Sequence, residues 1–354
     1  MALENHKRRT CQLSYSQTTS LKVTTYKTAL NMRIFLWLGL VLTTVQGFKN
    51  PAVIQVTEPA HHAEGPVWDA RVGKLYFVDL HQGKILAYDY ANDSTEVAAE
   101  FPGNDLVPII LTKKDPNVVI VGLNRTVARV KLYNKDSKPE PFHTVQEEHP
   151  KNRFNDGKAD VKGRLWFGTM GYETLDGKVD LNVGALFKFN PADLTKPTVE
   201  ITEISIGNGL AWNGDNTKFY YIDSVTYEVV QYDFNADNGT ISNRKVVFST
   251  KDKGMGVPDG MTVDIDDNLW VALYGGGSVI QVNPKTGDLL RRIPLSAQYT
   301  TSAIWGGPNL DILFVTTSRR SLTSDEKDKQ PAAGSLFAIT NLGTKGRLEY
   351  MTDL

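Results

Sequence analysis

The sequence predicts an all-β fold, a six-bladed β-propeller with a metal site at one end of the central channel. Three observations predict it. A short apolar strand centred on an aromatic residue or Val returns six times along the 354 residues. A second strand that alternates apolar and polar residues follows each return, and several of these end in turn formers. Oxygen-bearing side chains recur at a single register ahead of the repeated strands.

The N-terminal stretch stands outside the repeat. Residues 1–31 read as a polar, non-globular extension. The run "MRIFLWLGLVLTTVQG" follows. Arg33 gives it a basic start, Ile34 to Leu42 an apolar core of nine residues, and Val45-Gln46-Gly47 a small-residue end. These are the features of a signal peptide over 32–47. Nine apolar residues are too few to span a bilayer. Met32 is itself a candidate start, which would make 1–31 an upstream extension. The expectation is a secreted protein whose propeller occupies 48–354, with a cytoplasmic one as the alternative. Three N-x-[ST] sequons, at Asn92, Asn124 and Asn238, fit secretion.

Residues 48–354 carry 33 basic and 39 acidic side chains, a net charge of −6. An acidic body without a Lys/Arg cluster argues against a nucleic-acid partner. The only cysteine, Cys11, lies in the leader, so neither disulfides nor thiol chemistry is expected of the body. A monomer is the default.

The repeated strands are "GKLYFVDL", "NVVIVGL", "GRLWFGTM", "TKFYYIDS", "DNLWVALY" and "DILFVTTS". Their matching positions are Tyr76, Val119, Trp166, Tyr220, Trp270 and Phe314, spaced by 43, 47, 54, 50 and 44 residues. That spacing leaves about 51 residues per unit, enough for four short strands, and no helical period of ten or more residues intervenes. Small antiparallel sheets at such regular intervals suit radial closure, which protects strand edges.

Stepping back 11 or 12 residues from each anchor reaches Glu64, Val107, Asn155, Asn208, Asp259 and Ser302. In a propeller the innermost strands border the channel, so these positions form a ring. Four of the six are Glu, Asn, Asn and Asp. Oxygen ligands without His or Cys suit a hard cation such as Ca²⁺, Mg²⁺ or Mn²⁺. Singly, Asn-Gly and Asp-Gly also read as turn residues. Together, at one register, they read as a metal site.

Competing constellations are poor. Asp264, Asp266 and Asn268 match positions 1, 3 and 5 of an EF-hand loop, but Leu269 stands where a glycine is needed and Gly275 where a glutamate is needed. Asp264, Asp266 and Asp267 are therefore expected to be solvated turn residues. The six histidines form no H-x-x-x-H pair, and there is no G-x-S-x-G elbow, P-loop or G-x-G-x-x-G fingerprint.

The motifs "AEGPVWD", "NRFNDGKAD", "GRLWFGTM", "GNGLAW", "VPDGMTVD" and "TSAIWGGPNLDILFVT" resemble the regucalcin family, also called senescence marker protein, gluconolactonase or luciferin-regenerating-enzyme-like. The resemblance covers roughly residues 53–347. It implies a six-bladed propeller with one divalent metal, Ca²⁺ first and Zn²⁺, Mn²⁺ or Mg²⁺ as alternatives, and hydrolysis of sugar lactones such as gluconolactone. By motif it implies metal ligands at Glu64, Asn208 and Asp259, with Asp259 also the general base. It implies substrate contacts at Arg153 and Asn155, and at Glu173 of "GTMGYET", where "GY" departs from the acidic neighbour of close relatives.

On this reading the enzyme is a metal-dependent lactonase. The cation polarises the lactone carbonyl, Asp259 takes a proton from the attacking water, and Arg153 and Asn155 bind the substrate. The alternative is a non-catalytic calcium-binding regulatory protein built on the same ring. A partner-binding propeller using loops near "SRRSLTSDEKDKQP" is a further one, although its mixed charge suits a solvated loop.

Overall fold

In the computed structural model, residues 50–174 and 177–354 are described, and the expected leader over 1–47 lies outside them. Six four-stranded antiparallel sheets make up the described chain. The first runs Ala63–Asp69, Lys74–Asp79, Lys84–Asp89 and Ser94–Glu100, from inside to outside. The innermost strands of the six sheets are Ala63–Asp69, Leu106–Leu111, Arg153–Ala159, Gly207–Trp212, Val257–Val263 and Tyr299–Gly306. Each packs against the next, and the last packs against the first, so the sheets are blades of a closed ring. The six-bladed propeller expected from the repeat is the fold.

The repeated apolar strands are the second strand of each blade. They are nearly continuous hydrophobic runs because both faces are covered by neighbouring blades. Their anchors fill the spaces between blades. Trp270 meets Trp305 of the sixth blade edge-on at 5.4 Å, and Trp166 meets Trp212 of the fourth at 5.9 Å. The outermost strands, such as Asp288–Pro294, are largely exposed.

One strand escaped the sequence reading. Ala52–Gln55 pairs antiparallel with Phe337–Thr340, with Val53 opposite Ile339. The sixth blade therefore takes its outermost strand from the start of the described chain and its three inner strands from the end.

The expectation that Asp264 is solvated is wrong. It is fully buried and accepts hydrogen bonds from Trp270 Nε1 (3.0 Å), Gln281 Nε2 (2.8 Å) and the Asn268 backbone N–H (2.9 Å). The turn doubles back so that a carboxylate six residues before the anchor tryptophan reaches its indole. Asp160 does the same for Trp166 at 2.9 Å. Asp266 is exposed as expected, and the half-buried Asp267 pairs with Arg347 at 3.0 Å.

Within "SRRSLTSDEKDKQP" lies a six-residue helix, Ser324–Lys329, started by a Thr323/Glu326 capping box. No described helix is long and apolar enough to cross a membrane. Residues 345–353 cross one end of the ring. Ile265 N–H donates to the Lys345 carbonyl (2.7 Å), Lys158 pairs with Glu349 (3.0 Å), and Thr352 N–H donates to the Leu111 carbonyl (3.0 Å). These contacts tie the segment to the fifth, third and second blades.

Candidate active site

All six innermost strands lose register with their neighbour at the same level. The shifts fall between Glu64 and Val67, Leu106 and Ile109, Phe154 and Asp156, Gly207 and Leu210, Pro258 and Met261, and Thr300 and Ser302. An extra residue in a strand re-aims side chains that a regular pleat would send into the sheet. Glu64, Val107, Asn155, Asn208 and Asp259 sit at these irregularities. Ser302 likewise bounds the irregularity of the sixth blade, whose extra residue is Thr301. Thr301 Oγ1 donates to the Ala63 carbonyl at 2.7 Å and so helps to close the ring.

A cavity of about 250 Å³ opens at this level and brings together Glu64, Arg153, Asn155, Glu173, Asn208 and Asp259. These are all six of the site residues that the sequence predicts, drawn from four blades. His62, Ser224 and Arg320 also line it.

Glu64 and Asp259 are more than nine-tenths buried, and neither forms an ion pair among the described residues. Burial pushes the Glu64 carboxyl well above the usual range, and the charges of Asp259 and Asp156 add to the shift. Burial likewise raises Asp259, with Asp156 adding to it and the Asn208 side chain opposing it. The Glu64 carboxylate accepts from the Gly65 backbone N–H. Asn208 Nδ2 donates to Ser224 Oγ (3.0 Å), which in turn donates to the Pro258 carbonyl (2.7 Å). That chain ties the fourth blade to the fifth and leaves the amide oxygen of Asn208 available as a donor to a cation.

No three His, Cys, Asp or Glu side chains group as a metal centre among the described residues. The candidate set is instead two buried carboxylates and one amide oxygen. Its chemistry fits a hard divalent cation, whose charge would offset what burial and mutual repulsion cost the two carboxylates.

Arg153 is held from three directions. Its Nε lies 3.3 Å from Asp105 Oδ2, and its Nη1 donates to the Phe154 carbonyl (2.9 Å) and to Asn155 Oδ1 (2.8 Å). Asp105 also bonds His81 Nδ1 at 2.9 Å. Asn155 Nδ2 donates to the Gly207 carbonyl at 3.1 Å. Asn155 therefore spends both polar groups inside the protein, and its first task is to fix the guanidinium. Glu173 is engaged by Arg320 Nη1 at 2.6 Å, a contact between the third and sixth blades.

Sequence reasoning missed His62, Asp105 and Arg320. For the first two a signal existed. The residues two places ahead of the ring positions are His62, Asp105, Arg153, Ile206, Val257 and Thr300, a second tier one step towards the mouth. Arg320 follows the second strand of the sixth blade, and nothing in its spacing marks it.

The SMP-30/gluconolactonase/LRE-like region matches residues 62–319, which is most of the chain. The chain belongs to that family. Regucalcin of Xenopus laevis is 35% identical to this SMP-30/gluconolactonase/LRE-like chain over 292 residues, covering 82% of it and 94% of the relative. Human regucalcin is 35% identical over 288 residues, covering 81% and 93%. The solved structure of a luciferin-regenerating enzyme, 32% identical, superposes with a TM-score of 0.78 over 86% of this chain and all of the other. The calcium-binding regucalcin of Agrobacterium tumefaciens, 22% identical, shares the fold with a TM-score of 0.76 over 86% and 98% of the two chains.

Proposed function

We propose that the chain is a lactonase that opens a lactone ring with water, with a divalent cation, Ca²⁺ first, held by Glu64, Asn208 and Asp259. One observation carries this reading. Two buried carboxylates, without ion pairs among the described residues, and an amide converge from three blades in the cavity that also receives the fixed guanidinium of Arg153. Family membership supports the reaction class, since gluconolactonases belong to the same family.

A bound cation supplies Lewis acidity towards the carbonyl and a lowered pKa for water. The chain's own residues do the rest. The ionised Asp259 carboxylate takes the proton as the water oxygen bonds to the carbonyl carbon. The ring C–O bond then breaks, and that proton passes to the departing alkoxide, leaving a hydroxy acid. Arg153, whose Nη2 has no partner among the described residues, faces the developing oxyanion. Asn155 and Asp105 keep it there.

The deciding experiment is a rate screen of aldonolactones with Ca²⁺, Zn²⁺, Mn²⁺ or EDTA, on wild type, Asp259→Ala and Glu64→Gln. Loss of an electrostatic group of this kind costs on the order of 10²–10³ in rate. Near-wild-type turnover by either variant would sink the assignment. Metal binding without turnover of any lactone would leave the second reading, a calcium-binding regulator, for which the support is the description of the Agrobacterium tumefaciens regucalcin as a calcium-binding protein.

A further inference from the structure

The cavity is divided by chemistry. On one side the first and third blades line it with His62, Arg153 and Glu173 and the sixth with Arg320; on the other the fourth and fifth supply Ile206 and Val257, with Tyr274 opposite Val257 and its hydroxyl 3.1 Å from Ser321 Oγ. The rest of what the fourth blade gives the mouth is Val225 and Tyr227, each 38% exposed. Below them lie Asn208, Ser224 and Asp259.

The apolar half is continuous. Met170 at the end of the third blade's second strand bridges to Ile206. The Ser224 N–H donates to the Ile206 carbonyl at 3.1 Å, which sets Val225 beside Ile206. Ser224 Oγ reaches the Pro258 carbonyl at 2.7 Å, which sets the same turn beside Val257.

A fully hydroxylated sugar lactone would turn several hydroxyls towards this wall, where of Ile206, Val225, Tyr227 and Val257 only the Tyr227 phenol can accept or donate. An alkyl or aryl group would bury apolar surface on both sides, and its methylenes would each raise affinity about fourfold.

We infer that the preferred substrate is a lactone with an apolar substituent, seated against Ile206, Val225, Tyr227 and Val257 while its ring faces Asp259 and Arg153. This specificity rests on the lactonase reading, because that reading places the ring on the polar floor.

Two measurements on the Ca²⁺-supplied full chain test it. One is calorimetric binding of γ-alkyl-γ-lactams from methyl to hexyl, whose ring amide resists hydrolysis. The other is hydrolysis of the matching γ-lactones beside D-glucono-δ-lactone. Expected are lactam affinities and lactone kcat/KM values that climb about fourfold per methylene over the first several members. Val225→Asp should flatten that climb. Val97→Asp, on an exposed outer strand, should not. Lactam affinities that ignore chain length overturn the inference, and gluconolactone turnover in that case leaves the lactonase reading standing. Affinities that climb without turnover of any lactone uphold the apolar wall and remove the lactonase reading instead.

Discussion

Asp105 of the second blade and Arg153 of the third meet through Oδ2 and Nε at 3.3 Å, and Arg153 lines the cavity that also holds Glu64 and Asp259. Burial alone would raise the Asp105 carboxyl, but the His81 hydrogen bond and the Arg153 charge outweigh it and hold it below the usual range. On the lactonase reading, Asp105 positions Arg153 rather than touching substrate. Asp105→Asn should raise KM about tenfold with a smaller change in kcat, because binding geometry is lost before chemistry. Equal losses in both would argue against a positioning role.

The same pair sets an acid limb of stability. A carboxyl whose folded pKa is depressed binds its proton more readily when unfolded. Its stabilisation is full above the unfolded value near 4 and disappears as pH falls through the folded one. Denaturant melts from pH 7 to pH 3 should show wild type converging on Asp105→Asn below about pH 4. A constant gap across that range would contradict the ion pair.

Cation binding should be visible without any substrate. An ion that binds only the folded state stabilises it by about 2.7 kcal/mol at one hundred times its Kd. Ca²⁺ should raise the wild-type Tm accordingly, and Glu64→Gln should abolish most of the rise. An undiminished rise in the variant would move the ion elsewhere.

Asp264 makes the opposite prediction. Its carboxylate satisfies Trp270, Gln281 and the backbone of Asn268 in the interior. Asp264→Ala should cost about 3 kcal/mol in chemical denaturation, as deletion from a buried charged network does. Its Ca²⁺-induced Tm shift should match wild type. The neighbouring Asp266→Ala, on the surface, should cost under about 0.5 kcal/mol.

Gly260 marks how tightly the ring is drawn. A Cβ there would stand 2.0 Å from Ser302 Oγ and 2.8 Å from the Ser302 Cα. Gly260→Ala should destabilise by about 2 kcal/mol or more, and Ser302→Gly should recover only part of it, because the Cα remains in the way. Full recovery would mean that the backbone yields.

The fold, and the meeting of the candidate site residues in one cavity, were legible in the sequence for one reason. Radial symmetry converts a repeat in the chain into a ring in space, so Glu64, Asn155, Asn208 and Asp259 could be aligned by counting from their anchors. The next tier obeys the same rule, and His62 and Asp105 were within reach of it. Asp264 was misjudged because a turn carboxylate near a tryptophan looks the same in sequence whether it faces water or an indole. The Glu173–Arg320 pair spans 147 residues and leaves no local trace. The strand Ala52–Gln55 is too short and too exposed to be marked by hydrophobic pattern.

That short strand has an effect on biogenesis. The last blade needs residues 52–55 and 337–340 side by side, so during synthesis the torus stays open until almost the whole chain has left the ribosome. Until then the inner strands of the first and sixth blades lack each other's cover. A nascent chain would thus expose sticky edges for most of its translation, and a cut between residues 55 and 63 would unlatch an otherwise finished ring.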